Sequence, residues 1–251
     1  MSYRVSACIV TYNESDKIYD CIASILANTR GLSFKLFVVD NCSTDNTVEI
    51  ITRSFPQVSV FSNDKNLGFG AAHNLVLDLL DSDYHFVINP DIIMNTDTIQ
   101  QLCDYLQGHD DTVMITPKIL YKNGDEQFLP KRRPKIKYLL GGRIPFLSKY
   151  RKEYTRQDEL FSQPADIDFC TGCFFAIRTE CFINLNGFDP NFFMFFEDAD
   201  LTLRAKQFGR VVFYPHCTVT HLWERASAKS IKYLMIHICS MLKFFIKYLN
   251  K

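Results

Sequence analysis

Apolar runs that each stop on a short polar side chain, separated by stretches of helical periodicity, constrain the fold of this chain more than any other feature. Val5 to Val10 is an apolar run ending at Thr11, and Phe34 to Val39 is a second ending at Asp40. Val58 to Phe61 is a third, followed by Asn63 and Asp64, and His85 to Ile88 leads into Asn89-Pro90-Asp91. Between them, Ile18, Ile22, Ile25 and Leu26 repeat at helical spacing, as do Val48, Ile51 and Phe55 behind a cap at Ser43 or Thr44. Gly68 to Leu80 reads as a further helix, and Asn95 or Thr96 can cap another running through Leu106. Strands joined through helices need crossover connections, so the expected fold is α/β, a mostly parallel sheet flanked by helices. In such sheets ligands bind beyond the carboxyl ends of the strands. Here those ends carry Thr11, Asn13, Asp40, Asn63, Asp64 and Asp91, more polar groups than turns alone require.

Beyond residue 120 the pattern changes. From Gln127 to Lys152 there is no acidic residue, whereas Lys131, Arg132, Arg133, Lys135, Lys137, Arg143, Lys149, Arg151 and Lys152 are basic. The stretch of about 122–164 is expected to be an insertion. Sheet character returns at Ile167 to Ile177, a helix is expected from Glu197 to Phe208, and a strand from Val211 to Tyr214. Ala228 to Lys251 reads as one long helix with Lys229, Lys232, Lys243, Lys247 and Lys251 on a narrow stripe opposite a wide apolar face. Its longest uncharged run, Tyr233 to Leu242, is too short to span a bilayer. Such a helix can lie in a membrane interface, its lysines toward anionic headgroups, or pack on its own domain or a second copy of the chain. The expected organisation is therefore one domain over 1–225 and an amphipathic helix over 226–251.

The formal net charge of +0 argues against a nucleic-acid binder. The N-terminus lacks a secretory layout and the nine cysteines are scattered, so the thiols read as reduced and the protein as cytoplasmic. Cys170-Thr-Gly-Cys173 has the spacing of a metal or redox pair, but no second pair follows, and two half-buried thiols on a strand is the plainer reading.

Asp91, at a strand exit, can hold a hard divalent cation with phosphate oxygens completing the shell, or simply form a turn. His221, in Thr220-His221-Leu222-Trp223, can serve as a ligand if Asp91 comes near it. In Phe192-Phe193-Met194-Phe195-Phe196-Glu197-Asp198-Ala199-Asp200, an aromatic wall runs into three carboxylates. Helix capping accounts for one acid; mutual repulsion and burial would raise another toward the range of a general base. Gly68-Phe69-Gly70 lets the backbone approach a ligand closely.

Val10-Thr11-Tyr12-Asn13, Val39-Asp40-Asn41-Cys42-Ser43-Thr44-Asp45, Asn66-Leu67-Gly68-Phe69-Gly70, Asn89-Pro90-Asp91 and Phe196-Glu197-Asp198-Ala199-Asp200 occur in that order. Together they resemble the family 2 glycosyltransferases, inverting enzymes of the GT-A fold, over about residues 3–225. The subgroup most similar contains the rhamnosyltransferases and galactofuranosyltransferases of bacterial polysaccharide assembly. The resemblance implies that Thr11, Asn13 and Asp40 hold the nucleotide and that Asn66, Gly68 and Asn89 lie along its pocket. It implies Mn2+ or Mg2+ on Asp91 and His221, with Asn89 in place of the first aspartate of the family's Asp-x-Asp. Asp198 matches the catalytic base, and Thr171, Gly172 and Glu197 fall on the acceptor side. The implied partners are a nucleotide-diphosphate sugar, first of all dTDP-L-rhamnose with UDP-hexoses and galactofuranose open, and a lipid-linked saccharide at the inner face of the membrane. A nucleotide-cofactor oxidoreductase would need glycines after the first strand, where Thr11-Tyr12-Asn13-Glu14-Ser15 stands instead. A non-catalytic sugar-nucleotide-binding module on the same fold is the other alternative.

Overall fold

The computed structural model describes residues 3–135, 137–138, 148–159, 161–222 and 231–249. Arg143, Trp223, Lys229, Lys251 and the expected boundary at 225/226 lie outside the described residues. Strand β1 (Arg4–Thr11) is the hub: it pairs in parallel with β2 (Ser33–Asp40) on one side and with β4 (Tyr84–Ile88) on the other. β2 continues in parallel to β3 (Ser59–Ser62). Every residue of β1 after Arg4 is buried, which is why the segment reads as a continuous apolar run rather than an alternating one. Its side chains still divide by parity. Ala7 and Ile9 pack toward α1 (Ile18–Ala27), α2 (Thr47–Ser54) and α4 (Thr98–Gly108). Cys8 and Val10 face Ala72 and Val76 on the other side.

The parallel half of the sheet agrees with the expected alternation, and the other half is mixed. β8 (Phe174–Arg178) enters antiparallel between β4 and β6 (Thr112–Leu120). β9 (Arg210–His221) runs parallel to β6 and antiparallel to the two-residue strands β5 (Ile92–Ile93) and β7 (Ala165–Asp166). The strand expected over Val211 to Tyr214 is thus one third of a twelve-residue strand ending on His221 itself. Pro215 hides this. The register jumps from Pro117 opposite Tyr214 to Lys118 opposite Thr218, a bulge of the kind that tolerates proline.

Several helix boundaries also shift. The helix expected over Gly68 to Leu80 is a short α3 (Phe69–His73) followed by a 3-10 segment, Asn74–Leu79. Neither Ser43 nor Thr44 caps α2, which starts at Thr47 behind Asn46, and α4 starts behind Asp97 rather than Asn95 or Thr96. The basic insertion contributes α5 (Ser148–Tyr154), and α6 (Thr179–Asn184) follows β8. Helix α7 (Glu197–Ala205) ends three residues earlier than expected.

The C-terminal helix α8 (Ile231–Tyr248) packs on its own domain. Phe244 is buried with Phe169, Phe192, Phe196 and Ala199. The lysine stripe shares in this docking rather than facing away: Lys243 Nζ donates to Asn191 O at 2.7 Å, and Lys247 Nζ meets Asp189 Oδ2 at 2.6 Å and Asp200 Oδ1 at 2.5 Å. Exposure falls instead on Ile231, Met235, Leu242, Ile246 and Leu249. Among the described residues no helix is long and apolar enough to cross a membrane.

Candidate active site

At the carboxyl ends of β1 and β2, Thr11 and Asp40 lie side by side in register and both are buried. Asp40 Oδ2 accepts the Ser43 N–H at 3.0 Å, whereas Thr11 Oγ1 and Asp40 Oδ1 have no hydrogen-bond partner among the described residues. A buried polar atom left without a partner costs about 1–3 kcal/mol, so two together at strand ends point to a ligand that supplies the missing bonds. Asn13 and Cys42, just beyond these ends, have φ of 57° and 68°. Asn13 Oδ1 accepts the Thr44 N–H at 2.8 Å, which locks the two strand tips together. The loop beneath them is tied on by Asn41, whose Nδ2 donates to Gly68 O at 3.0 Å and whose Oδ1 accepts from Asn63 Nδ2 at 3.0 Å. Asn66 Oδ1 accepts the Gly68 N–H at 2.9 Å and so turns the chain into α3. Gly68 has φ 86° and ψ 179°, a conformation open essentially to glycine alone. A Cβ there would lie 2.1 Å from Phe193 O.

The short pairing of β5 with β9 sets Ile92 opposite His221 and brings Asp91 to the histidine. His221 Nε2 lies 3.3 Å from Asp91 Oδ1 and 3.5 Å from Asn89 Nδ2. Gln127 fixes the tautomer. Its Nε2 donates to His221 O at 2.8 Å and Leu120 O at 3.2 Å, so Oε1 faces His221 Nδ1, at 3.0 Å, and that nitrogen carries the proton. With Nδ1 committed to Gln127, Nε2 is the nitrogen that faces Asp91 Oδ1, as two ligands of a shared cation would. An imidazole and a carboxylate facing each other are donor types that fit Mn2+ or Mg2+. No group of three or more His, Cys, Asp or Glu side chains suited to a metal occurs among the described residues.

The third element is the start of α7. Phe195 and Phe196, immediately before it, have φ of 69° and 67°, conformations costly for aromatic residues and concentrated at functional sites. Asp198 Oδ2 accepts the Gly172 N–H at 3.0 Å and Oδ1 accepts the Ala199 N–H at 2.9 Å. Burial raises the Asp198 pKa above the usual aspartate range, and the Lys131 charge and these N–H groups pull it back. Burial, then the Asp198 charge, pushes Glu197 well above its ordinary value. Of the two, Glu197 is the more readily protonated, which leaves Asp198 the better suited to accept a proton. Glu197 Oε2 is buried without a partner among the described residues. Asp200, fully buried, serves the fold: Arg204 Nε at 2.8 Å, Lys247 and the Tyr248 hydroxyl at 2.7 Å hold it.

The turn 171–173 joins Asp198 to the segment that leads into Asp91. Gly172 donates to Asp198, and the next residue, Cys173, accepts the Asn89 N–H at 2.8 Å. The charges of Asp91 and Asp198 both reach the Cys173 thiol, which burial has already pushed up to about 12. Gly172 packs closely on Asp198: a Cβ would sit 3.3 Å from Asp198 Cβ, which would have to give by a few tenths of an ångström. Thr171 Oγ1 donates to Leu129 O at 3.3 Å. Cys170 and Cys173 are fully buried thiols in the turn before β8, not half-buried ones on a strand, and all nine cysteines are free. A cavity of about 210 Å³ beside Arg4, Ser33 and Asp81 lies at the opposite ends of β1 and β2 and takes no part.

Sequence reasoning did not single out Gln127, Asn41 or Lys131. Lys131 Nζ sits over the rings of Phe169 at 4.8 Å and Tyr154 at 5.9 Å. A backbone bridge to Phe169 places it next to Asp198. Asn41 stood inside a quoted motif, whereas Gln127 and Lys131 reach the site only through long-range pairing.

Known proteins are similar to this chain in sequence and in fold. The M. tuberculosis N-acetylglucosaminyl-diphospho-decaprenol L-rhamnosyltransferase is 27% identical over 230 residues, 84% of this chain and 74% of that protein. Rhamnosyltransferase WbbL of Escherichia coli K12 is 24% identical over 208 residues, 80% of this chain and 76% of that one. The crystal structure of GalNAc-T7 with UDP, GalNAc and Mn2+ superposes with a TM-score of 0.68 at 16% identity, covering 90% of this chain but 44% of the other, so the likeness is one of fold. The family-wide pattern of glycosyl transferase family 2 matches residues 6–185. With that match over most of its length, and with a GT-A sheet, the chain belongs to glycosyl transferase family 2.

Proposed function

We propose that this glycosyltransferase is an inverting, metal-dependent enzyme that moves a sugar, L-rhamnose from dTDP-rhamnose as the first choice, onto a lipid-linked saccharide in bacterial surface-polysaccharide assembly. The rhamnose and the lipid acceptor follow from the names of the two bacterial relatives. The observation that supports the mechanism is the 171–173 turn, bonded to Asp198 on one side and, two residues before Asp91, to Asn89 on the other. Thr11 Oγ1 and Asp40 Oδ1 would bond the nucleoside, with Asn13, Asn66, Gly68 and Asn89 shaping its pocket. Asp91 and His221 would hold Mn2+ or Mg2+, and the chemistry the ion supplies there is neutralisation of the departing diphosphate. Asp198 takes the proton of the acceptor hydroxyl while that oxygen bonds the anomeric carbon. The bond from that carbon to the phosphate oxygen breaks, its electron pair leaves with the nucleotide diphosphate, and configuration inverts. Neutral Glu197 orients the acceptor by donating from its partnerless carboxyl, and Thr171 and Gly172 line the acceptor side.

The apolar stripe Ile231, Met235, Leu242, Ile246 and Leu249 would rest on the membrane that carries the acceptor, at its cytoplasmic face. A second copy of the chain on the same stripe is the competing occupant. A mass-spectrometric screen of nucleotide sugars against lipid-diphosphate acceptors, with and without Mn2+, tests the reading. Metal-dependent transfer from one donor is expected; cofactor reduction or bare nucleotide binding without transfer would overturn it.

A further inference from the structure

We infer that the groove between the basic insertion and α7 binds the diphosphate of the acceptor, with Arg133 and Lys135 as the anion-binding cations. The inference rests on the lipid-linked acceptor proposed above and deepens it. The groove encloses about 810 Å³ and is lined by five cationic side chains against Glu153 and Asp168. Three of the five are already neutralised: Arg132 by Glu159 at 2.6 Å, Lys137 by Glu153 at 2.8 Å and Lys206 by Asp168 at 2.8 Å. Arg133 and Lys135 have no carboxylate within ion-pair distance among the described residues. Arg133 instead lies over the Tyr248 ring, 5.8 Å from its centre, which pre-orients the guanidinium without consuming its hydrogen-bond donors. Two uncommitted cations in a concave, otherwise balanced site suit a compact dianion better than a flat surface.

Position supports the same assignment. Leu203 and Lys206 line the groove from the helix that carries Asp198. Lys131, whose charge acts on Asp198, stands two residues before Arg133, a stretch of chain that spans at most about 7 Å. A single acceptor sugar bridges such a gap, with its hydroxyl at Asp198 and its anomeric diphosphate in the groove. Tyr248 belongs to α8, so a lipid tail leaving the groove meets the helix that carries the exposed apolar stripe.

The test compares the full chain with the double variant Arg133→Gln, Lys135→Gln, which breaks no ion pair within the fold. Binding of farnesyl diphosphate, farnesol and phosphatidylglycerol vesicles is titrated in EDTA; binding of nucleotide diphosphates is measured with Mn2+. The inference expects farnesyl diphosphate to bind the unaltered chain and to weaken about tenfold or more in the variant, the loss of one or two charge-assisted bonds. Farnesol and nucleotide diphosphate should bind both proteins alike. Equal farnesyl diphosphate affinity in both proteins overturns the inference, as does a parallel loss of nucleotide binding. Loss of vesicle binding alone assigns the cations to lipid headgroups and also overturns it. Failure of the transferase reading looks different: nucleotide diphosphate with Mn2+ would bind neither protein, whatever the groove does.

Discussion

Replacing Gln127 with methionine keeps the side chain's length and removes the amide that orients His221. Three hydrogen bonds go with it: to Leu120 O at 3.2 Å, to His221 O at 2.8 Å and from His221 Nδ1 at 3.0 Å. At a net 0.5–1.5 kcal/mol each, they contribute about 1.5–4.5 kcal/mol to stability. The larger functional effect is on the ring. Without Oε1 the imidazole can rotate or take the other tautomer, and its Nε2 lone pair no longer points to the Asp91 side. Loss of an outer partner of a metal-ligating histidine typically weakens metal binding about 10–100-fold, or roughly 1.4–2.7 kcal/mol. The assay is the Mn2+ dependence of sugar transfer, with circular dichroism to establish that the variant is folded. The half-saturating Mn2+ concentration should rise by that factor, with most of the rate recovered at saturation. An unchanged Mn2+ dependence in a folded variant would refute both the tautomer argument and the place of His221 in the cation site.

Three further outcomes follow. The Lys131 charge holds the Asp198 pKa down against burial, beside Glu197, Tyr154, Cys170 and Cys173. Lys131→Met should therefore raise the Asp198 pKa, and since the base acts ionised, the acidic limb of the kcat/KM profile should move to higher pH; a limb that stays in place removes Lys131 from the site. Gly68→Ala forces a Cβ against Phe193 O in a conformation that costs a non-glycine residue about 1–3 kcal/mol before any clash; a clear fall in Tm is expected, and an unchanged Tm would contradict the packing of that loop. Because α8 covers Phe196 next to the acids, its outer face is better tested than its removal. Ile246→Glu with Leu249→Glu should weaken liposome binding while leaving turnover on a soluble acceptor intact, and equal liposome binding would transfer the stripe to another partner.

What the sequence made legible was the abrupt change from apolar to polar at strand ends. Thr11, Asp40 and Asp91 each terminate or closely follow a buried run, so both the parallel strands and the polar groups at their carboxyl ends could be located from hydrophobicity alone. The acids of α7 stood out because five apolar residues precede them. Strand direction was less accessible, since an antiparallel strand buried on both faces, such as β8, has the same composition as a parallel one. β5, at two residues, is too short to leave a pattern, yet it positions Asp91 against His221. The lysine stripe of α8 suggested a face turned outward, but Lys243 and Lys247 find partners in Asn191, Asp189 and Asp200, far away in sequence. Gln127 and Lys131 were invisible for the same reason: their roles come from contacts 94 residues away for Gln127 with His221, and through the Phe169 bridge for Lys131.

The most direct test of the account is the rate of sugar transfer by Asp198→Asn, measured at saturating donor beside the donor's dissociation constant. Asparagine matches the shape but carries no negative charge and accepts no proton, so turnover should fall about 10²–10⁴-fold, the usual worth of general-base assistance, with donor binding retained. Full turnover in this variant would contradict the account, because the proton of the acceptor hydroxyl would then be leaving by some other group.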